Sequence, residues 1–287
     1  MGNYIINVTK DELNLDKTLD SGQAFRWQKN SEGYWVGVVK DIQKGKSKLC
    51  ILKQYDSYIS TNLSEAEAEL LIYYFNLDMS YTDEIEKLNL SEKDEFAYKA
   101  YQRGKGIHIL RQDYFETMVT FLMSTCNTMG NIRNIVNKLS ELYGEKLEEE
   151  YNGKSYAEYT FPTLKRLRDV SIKELEACKM GFRARYLAEM CQRLSKDSTI
   201  LERLHQGMDG GMTKYAEAIM ILTEFKGIGE KVANCISLFA GHHLCAFPVD
   251  THIRQLIDTE YRGNINLNNY GKIAGIVQQY MYYYKAF

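Results

Sequence analysis

The sequence Phe-Lys-Gly-Ile-Gly-Glu-Lys-Val-Ala at residues 225–233, followed by Pro-Val-Asp-Thr-His at 248–252, decides the predicted fold. Apolar residues recur near helical spacing before and after the first stretch, which indicates two helices. Between them, Gly227 and Gly229 allow the backbone to turn tightly and to expose its N–H groups without a Cβ in the way. We therefore predict a helix-hairpin-helix unit over about 212–240.

The predicted hairpin has the chemistry of a phosphate site. Free N–H groups at the start of a helix bind anions because the donors and the helix dipole point to the same place. Such a site holds a phosphate through the backbone alone and reads no base sequence. A hairpin of this kind is therefore suited to binding the backbone of a nucleic acid.

Lys231 and Asp250 are the two reactive side chains next to this hairpin. Lys231 falls in the first turn of the second helix, where the dipole disfavours a cation and partial desolvation favours the neutral, nucleophilic amine. Asp250 can begin the next helix as its N-cap. The pattern predicts an amine and a carboxylate beside a bound phosphodiester, whereas an ordinary surface lysine and a capping aspartate are the alternative interpretation.

At these residues the sequence resembles the helix-hairpin-helix, Gly/Pro-Asp superfamily of DNA base-excision glycosylases. A lysine directly after Gly-x-Gly-x is typical of the bifunctional glycosylase/lyase branch of that superfamily. The resemblance implies that Lys231 forms a Schiff base with the sugar and that Asp250 stabilises the sugar cation. It also implies that DNA is bound by the hairpin and the following helix, through Gly227, Gly229, Lys231, Val232 and His252.

The resemblance implies that no redox cofactor and no catalytic metal are required. It allows one structural ion at the hairpin, either monovalent or calcium. The main-chain carbonyls of Thr223, Phe225 and Ile228 would be its ligands.

A second stretch, Ser-Gly-Gln-Ala-Phe-Arg-Trp at 21–27, resembles the N-terminal motif of 8-oxoguanine DNA glycosylases. In that family the main-chain carbonyl of the glycine, here Gly22, accepts a hydrogen bond from the N7–H of oxidised guanine. The N7 atom of normal guanine is an acceptor, so the same carbonyl would face another lone pair. A site that forms a hydrogen bond with one base and leaves its own acceptor unpaired with the other can favour the first base by orders of magnitude in reaction rate.

The segment 274–282, Ala-Gly-x-x-Gln-x-x-x-Tyr, resembles the end of the same family's base pocket. The resemblance implies that Gln278 bonds the Watson–Crick edge of the base and that Tyr282 stacks on one face. Cys235 lies one helical turn after Lys231 and would close the other face. The predicted base pocket comprises Gly22, Cys235, Pro248, Asp250, Gln278 and Tyr282.

Two further segments imply contacts with the duplex. Phe182 stands where the family has an aromatic wedge, and such a ring compensates part of the unstacking at a kink. Arg183 would face the base left behind on the other strand. In a loop where the family has two adjacent asparagines, Cys126 takes the first, gap-filling position and Asn127 takes the second, DNA-binding one.

Asn131 stands where the family often has a second arginine that faces the opposite base. We therefore expect a weaker preference for cytosine opposite the lesion.

The chain reads as an α+β protein with two domains. Short β-type runs separated by turn signals lie at 4–8, 24–28, 34–39, 49–53 and 58–61. Capping boxes begin helices at Ser64, Asp113 and Ser171, and a periodic helix covers 129–143. We expect 145–160 to be a loop with a short helix, and Pro162 to occupy the first position of the helix that follows.

From these elements we predict an antiparallel β-rich domain of the TBP-like type over 1–105, packed on a mainly helical glycosylase body over 106–287. The pocket helix covers about 270–287, and DNA binds at the seam between the domains.

Composition limits the functional classes. The 287 residues include 45% hydrophobic and 26% charged residues, no stretch long enough to span a membrane and no signal pattern at 1–7. Six cysteines without a C-x-x-C spacing indicate free thiols in a reducing compartment and argue against an iron–sulfur cluster. The net charge is −2, so affinity for DNA must come from local patches and backbone donors.

We therefore expect an 8-oxoguanine DNA glycosylase with abasic-site lyase activity, whose partner is double-stranded DNA containing oxidised guanine. We expect a monomer without membrane contact, in the bacterial cytosol or nucleoid, or in the nucleus of a eukaryote. Two alternatives stay open: a glycosylase/lyase for another damaged base, and a non-catalytic helix-hairpin-helix DNA-binding protein.

Overall fold

The computed structural model describes residues 4–287 as an antiparallel sheet followed by a helical body. Residues 1–3, which belong to the predicted β-rich domain and to the stretch searched for a signal, lie outside the described residues. The strands are β1 Tyr4–Asn7, β2 Gln28–Lys29, β3 Trp35–Asp41, β4 Lys46–Gln54, β5 Tyr58–Thr61, β6 Lys146–Tyr151 and β7 Lys154–Tyr159. The helices are α1 Leu15–Leu19, α2 Glu65–Tyr74, α3 Tyr81–Glu86, α4 Leu90–Lys93, α5 Glu95–Gly104, α6 Tyr114–Leu122, α7 Met129–Tyr143, α8 Leu164–Arg168, α9 Ile172–Ala177, α10 Arg183–Lys196, α11 Thr199–Gln206, α12 Met212–Thr223, α13 Glu230–Phe239, α14 Thr251–Glu260 and α15 Ala274–Ala286, with 3₁₀ turns at Leu267–Asn269 and Gly271–Ile273.

The N-terminal sheet is antiparallel throughout, with strand order β1-β5-β4-β3-β2. Its inner face packs on Trp27, whose ring lies so close to Gly37 that an added Cβ would stand 2.5 Å from a ring carbon. The Trp27 indole N–H also donates to the Tyr74 hydroxyl of α2 at 3.0 Å. One tryptophan therefore joins the sheet to the helix that covers it.

Helix α13 lies in the middle of the helical body. Every residue from Val232 to Phe239 is buried, and α13 packs against α6 and α12. The Phe239 ring stacks on Phe121 of α6 with 5.4 Å between the ring centroids. Eight of the nine residues of α6 are buried as well. The helix that carries Lys231 is thus fixed by core packing.

The α+β class is confirmed, and several local predictions hold. Helix α7 has the predicted bounds, and the Glu67 and Glu174 carboxylates accept hydrogen bonds from the N–H groups of Ser64 and Ser171, as capping boxes require. The Asp113 side chain caps α6 alone, because Glu116 pairs with Arg26 instead. The domain boundary near 105 stays a prediction; helices α3, α4 and α5 contribute to the core of the helical body.

The predicted loop and short helix over 145–160 is wrong: the segment forms the β6–β7 hairpin. Its two-residue turn, Asn152-Gly153, has positive φ angles of 52° and 74°. This is the backbone of a type I′ turn, for which Asn-Gly is the strongest sequence signal. Tyr151 packs with Val36 and Ile51 on the outer face of the sheet, and this burial stabilises a hairpin whose sequence is mostly polar.

Two smaller predictions also need correction. The strand expected over 24–28 is reduced to Gln28–Lys29, because Phe25 packs into the helical core and Trp27 into the sheet core. In a regular strand Phe25 and Trp27, two residues apart, would lie on the same face and could not pack into two different cores. Pro162 precedes the N-cap Thr163, so it lies outside the helix that starts at Leu164.

Arg26 is the main polar link between the two parts of the chain. Its guanidinium donates to the Glu116 carboxylate of α6 at 2.7 Å and to the Tyr159 carbonyl of β7 at 2.7 Å. The side chain is only 8% exposed. A buried cation with these partners is stable only while the partners remain.

Replacing Arg26 by Met should lower the free energy of unfolding by about 3 kcal/mol, because the Glu116 carboxylate is left partly buried without its cation. Urea unfolding followed by circular dichroism measures the effect. Arg168→Met is the matched control, since Arg168 pairs with Asp169 on the surface and its loss should leave the unfolding midpoint close to that of wild type. Equal unfolding midpoints for the two variants would contradict the role of Arg26 as a buried ionic link.

Candidate active site

A cleft of about 780 Å³ opens between the 21–25 loop, the N-terminal end of α13 and helix α15. It brings together residues from near both ends of the chain, from Ser21 to Tyr282. The predicted residues on its wall are Gly22, Asn127, Gly227, Gly229, Lys231, Val232, Cys235, Pro248, Asp250, His252, Gln278 and Tyr282. The structure therefore places the predicted nucleophile and the predicted base pocket in one cavity.

Lys231 lies in the first turn of α13, after the N-cap Gly229, and is half-buried in the cleft wall. Within residues 4–287, no carboxylate approaches its amine to salt-bridge distance. Its nearest reactive neighbour is Cys235, one turn along the helix. Burial raises the pKa of the Cys235 thiol to about 11, although the positive charge of Lys231 opposes the shift. The amine thus faces a neutral thiol.

Asp250 is the N-cap of α14, as predicted: its carboxylate accepts a hydrogen bond from the Ile253 N–H at 2.8 Å. The cap fixes the orientation of a carboxylate on the cleft wall. Its charge also acts on Tyr282, whose pKa is raised to about 12, first by burial and then by Asp250. A negative charge is therefore held close to the ring that lines the pocket.

Helix α15 supplies the opposite wall. Gln278 is buried; its amide donates to the Pro248 carbonyl at 3.1 Å, whereas its side-chain oxygen has no hydrogen-bond partner among residues 4–287. A buried acceptor without a donor is costly, so this oxygen is suited to receive a donor from a ligand. Tyr282 packs across Gly22, where an added Cβ would meet the tyrosine hydroxyl at 3.2 Å and the φ of +79° already requires glycine.

The two hairpin glycines have different roles. Gly227 has a φ of +88°, and an added Cβ would stand 2.6 Å from the Tyr186 ring and 2.7 Å from Leu122. Around Gly229, by contrast, no described atom lies within 4 Å of the Cβ position. Gly227 is therefore required by internal packing, whereas Gly229 leaves the outer face of the hairpin open to a ligand.

Phe182 and Arg183 lie beside the cleft rather than on its wall. The Phe182 ring is 54% exposed, as a wedge requires. Arg183 is buried: its guanidinium donates to the carbonyls of Thr125 and Cys126 and lies 4.5 Å from the centroid of the Phe182 ring. To face an opposite base as predicted, Arg183 must leave these carbonyls. In this structure it supports the loop that carries Cys126 and Asn127.

The sequence analysis missed two residues that support the site: Gln279, which is buried, and Gln112, which is half-buried. Gln279 donates to the Ser21 carbonyl at 2.8 Å, and Gln112 donates to the Gln23 carbonyl at 2.9 Å. Both bonds hold the loop around Gly22. A glutamine on an apolar helix face, next to Gln278, was the one available signal, because a buried amide needs a partner.

The family model described as the HhH-GPD superfamily base excision DNA repair protein matches residues 119–270, and the 8-oxoguanine DNA glycosylase N-terminal domain matches residues 5–118. The chain belongs to this family of 8-oxoguanine DNA glycosylases. This glycosylase is 30% identical to "N-glycosylase/DNA lyase OGG1" of Arabidopsis thaliana, covering 88% of this chain and 67% of the relative. It is 26% identical to "N-glycosylase/DNA lyase" of Saccharomyces cerevisiae, covering 91% and 72%.

Among solved structures, this glycosylase matches the 8-oxoguanine glycosylase/lyase of Clostridium acetobutylicum, solved with double-stranded DNA that contains cytosine opposite 8-oxoG. The TM-score is 0.83 at 30% identity, and the match covers 99% of this chain and 94% of the other. The fold and the family are thereby settled over both predicted domains.

The two cysteines of the site should differ in reactivity. Cys126 is exposed, whereas Cys235 is buried with its pKa raised to about 11, so that about one molecule in a thousand carries the reactive thiolate at pH 8. We expect iodoacetamide at pH 8 to alkylate Cys126 and to leave Cys235 unmodified in the native protein, as measured by peptide mass spectrometry. In urea both should react. Fast native labelling of Cys235 would contradict the burial.

Proposed function

We propose that this glycosylase excises 8-oxoguanine from duplex DNA and then cleaves the strand at the abasic site, as a bifunctional DNA glycosylase/lyase of base-excision repair. The observation that carries the proposal is the meeting of Lys231, Asp250, Gly22 and Gln278 in one cleft. The family match and the relatives named N-glycosylase/DNA lyase support it.

The open hairpin face binds the DNA backbone in this proposal. The N–H groups at the start of α13 point at a phosphate, and the helix dipole attracts its charge. His252, exposed beside the cleft, contacts a neighbouring phosphate. These contacts position the duplex without reading its sequence.

We also propose a structural monovalent or calcium ion on the carbonyls of Thr223, Phe225 and Ile228. The Phe225 carbonyl already accepts from the Ile228 N–H at 3.0 Å, and its second lone pair remains for a cation. Hard cations prefer such oxygen ligands. The ion would neutralise the C-terminal end of α12 and stiffen the hairpin.

The damaged nucleotide must leave the helix to reach the cleft, at a cost of a few kcal/mol of lost stacking. The exposed Phe182 ring fills part of the gap. The extruded base enters between Cys235 and Tyr282, where the free oxygen of Gln278 accepts from its Watson–Crick edge. The Gly22 carbonyl then accepts from the N7–H that only oxidised guanine carries.

The reaction uses the amine and the carboxylate already described. The neutral Lys231 nitrogen bonds to C1′ as the glycosidic bond breaks, and the bonding electron pair leaves with the base. The carboxylate of Asp250 stabilises the positive charge that develops on the sugar. The bound nitrogen then loses a proton, and the C1′–O4′ bond breaks with protonation of O4′, which leaves a protonated Schiff base at C1′. This Schiff base acidifies the C2′ proton, and removal of that proton expels the 3′ phosphate by β-elimination.

The protein acts where the DNA is: we propose the bacterial cytosol or nucleoid, or the nucleus of a eukaryote, and a monomer on its substrate. Over residues 4–287, no helix is long and apolar enough to cross a bilayer. With Asn131 at the position predicted to face the opposite base, we propose a weaker preference for cytosine opposite the lesion.

Borohydride trapping tests the chemistry. Wild-type protein should form a covalent adduct with a duplex containing 8-oxoguanine, and Lys231→Gln should reduce the adduct by at least about a thousandfold because the nucleophile is lost. Lys226→Gln is the matched control, since Lys226 lies on the same hairpin but pairs with Glu189 on the surface at 3.5 Å. The control should retain the adduct.

A panel of duplexes with 8-oxoguanine, guanine or thymine glycol tests the substrate. Adducts with oxidised guanine alone agree with the proposal. If adducts formed preferentially with thymine glycol, the substrate would be another damaged base. If no duplex gave an adduct, the protein would be a non-catalytic DNA-binding module.

The two hairpin glycines test the backbone contact. Gly229→Ala should keep the thermal midpoint and weaken DNA binding about tenfold, because a methyl group enters the open face next to the phosphate. Gly227→Ala should instead lower stability by about 2 kcal/mol, through the clash with Tyr186 and the strained φ. Fluorescence anisotropy and thermal melts measure the two effects. If Gly229→Ala destabilised the protein and Gly227→Ala only weakened DNA binding, the roles assigned to the two glycines would be wrong.

A further inference from the structure

The three consecutive main-chain carbonyls of the 21–23 loop differ in whether they accept a hydrogen bond. The Ser21 carbonyl accepts from the Gln279 amide at 2.8 Å, and the Gln23 carbonyl accepts from the Gln112 amide at 2.9 Å. Between them, the Gly22 carbonyl receives no hydrogen bond from any residue in 4–287. The loop therefore keeps one carbonyl free and anchors its two neighbours.

One anchor lies on a helix of the site, and the other lies in the loop before α6 and is bonded to such a helix. Gln279 lies on α15, next to Gln278 and one turn before Tyr282. Gln112 is itself fixed to α13, because its backbone N–H donates to the Phe239 carbonyl at 3.1 Å. The loop belongs to the N-terminal domain, but hydrogen bonds hold it in place relative to α13, which carries Lys231, and α15, which carries Gln278.

The loop is also fixed from inside. The Gln23 side chain is 1% exposed; its oxygen accepts from the Leu110 N–H at 2.9 Å and its amide donates to the His108 carbonyl at 2.8 Å. All three glutamine amides are buried or half-buried, and a buried amide loses free energy unless it is bonded. These bonds are therefore retained in the native state.

We propose that Gln279 and Gln112 are positioning residues for the Gly22 carbonyl. By holding that carbonyl at a fixed position relative to α13 and α15, they set the discrimination between oxidised and normal guanine. The inference rests on the proposed function. A hydrogen bond is short and directional, so a small displacement of its acceptor is enough to lose it. Displacements of about 1 Å cost roughly a hundredfold in rate in enzyme sites.

The test compares two reactions of the same protein. Excision of 8-oxoguanine needs the Gly22 carbonyl, whereas cleavage of a duplex with a preformed abasic site needs Lys231 but has no base to read. Gln279→Met keeps the length of the side chain and removes the donor. We expect kcat/KM for 8-oxoguanine to fall by at least about tenfold, while abasic-site cleavage stays within about twofold of wild type.

Gln54→Met is the matched control. Gln54 also donates its amide to a main-chain carbonyl, that of Leu13, but it lies in β4 outside the cleft wall. It should lower the thermal midpoint without changing the ratio of the two activities. Gln112→Met should act like Gln279→Met, and the double variant should lose less than the product of the two effects, because both hold one short loop.

An unchanged activity ratio in Gln279→Met, or an equal fall in both activities, overturns the positioning role. These outcomes are distinct from a failure of the proposed function, which would be seen as a wild-type protein that does not excise 8-oxoguanine. The rate of guanine excision, measured in parallel, should stay at its low wild-type value in Gln279→Met and in Gln112→Met. A rise in guanine excision with 8-oxoguanine unaffected would also overturn the inference.

Discussion

Helix α13 is buried along every residue from Val232 to Phe239, and this burial determines where Lys231 lies. The hydrophobic contacts with α6 and α12 leave only the first turn of α13 at the cleft. A helix start is the place where the backbone N–H donors have no partner within the helix. The packing of a core helix thus fixes both the proposed phosphate donors and the proposed nucleophile.

The backbone has as large a part in the site as the side chains. Gly227 allows the hairpin to pack on Tyr186, Gly229 leaves the outer face open, and Gly22 gives space to Tyr282. In each case a Cβ would occupy the space that a ring or a ligand needs. Main-chain donors and acceptors cannot be moved by rotamer changes, so the interactions proposed for them depend on the rigidity of the surrounding fold.

The cleft lies at the junction of the two parts of the chain, and its geometry depends on how firmly they are joined. Arg26 provides an ionic link to Glu116 of α6. The buried Gln279 and the half-buried Gln112 tie the Gly22 loop to the helical body. The Arg183 guanidinium similarly supports the loop at Cys126. Loops that carry functional groups are thus held by polar bonds to regular elements, which limits their motion.

The sequence by itself determined the α+β class, the helix-hairpin-helix and the Asp250 cap, because each depends on a signal within a few residues. It also indicated twelve residues of the cleft wall, because separate short motifs resemble those of one family. It missed the β6–β7 hairpin, although Asn152-Gly153 is a local turn signal, because the strands are polar and their burial against β3 and β4 is a tertiary contact. Only the tertiary structure paired Gln279 with Ser21, 258 positions away, and turned Arg183 inward. Hydrogen bonds between distant segments depend on how whole elements pack, and no local pattern encodes that geometry.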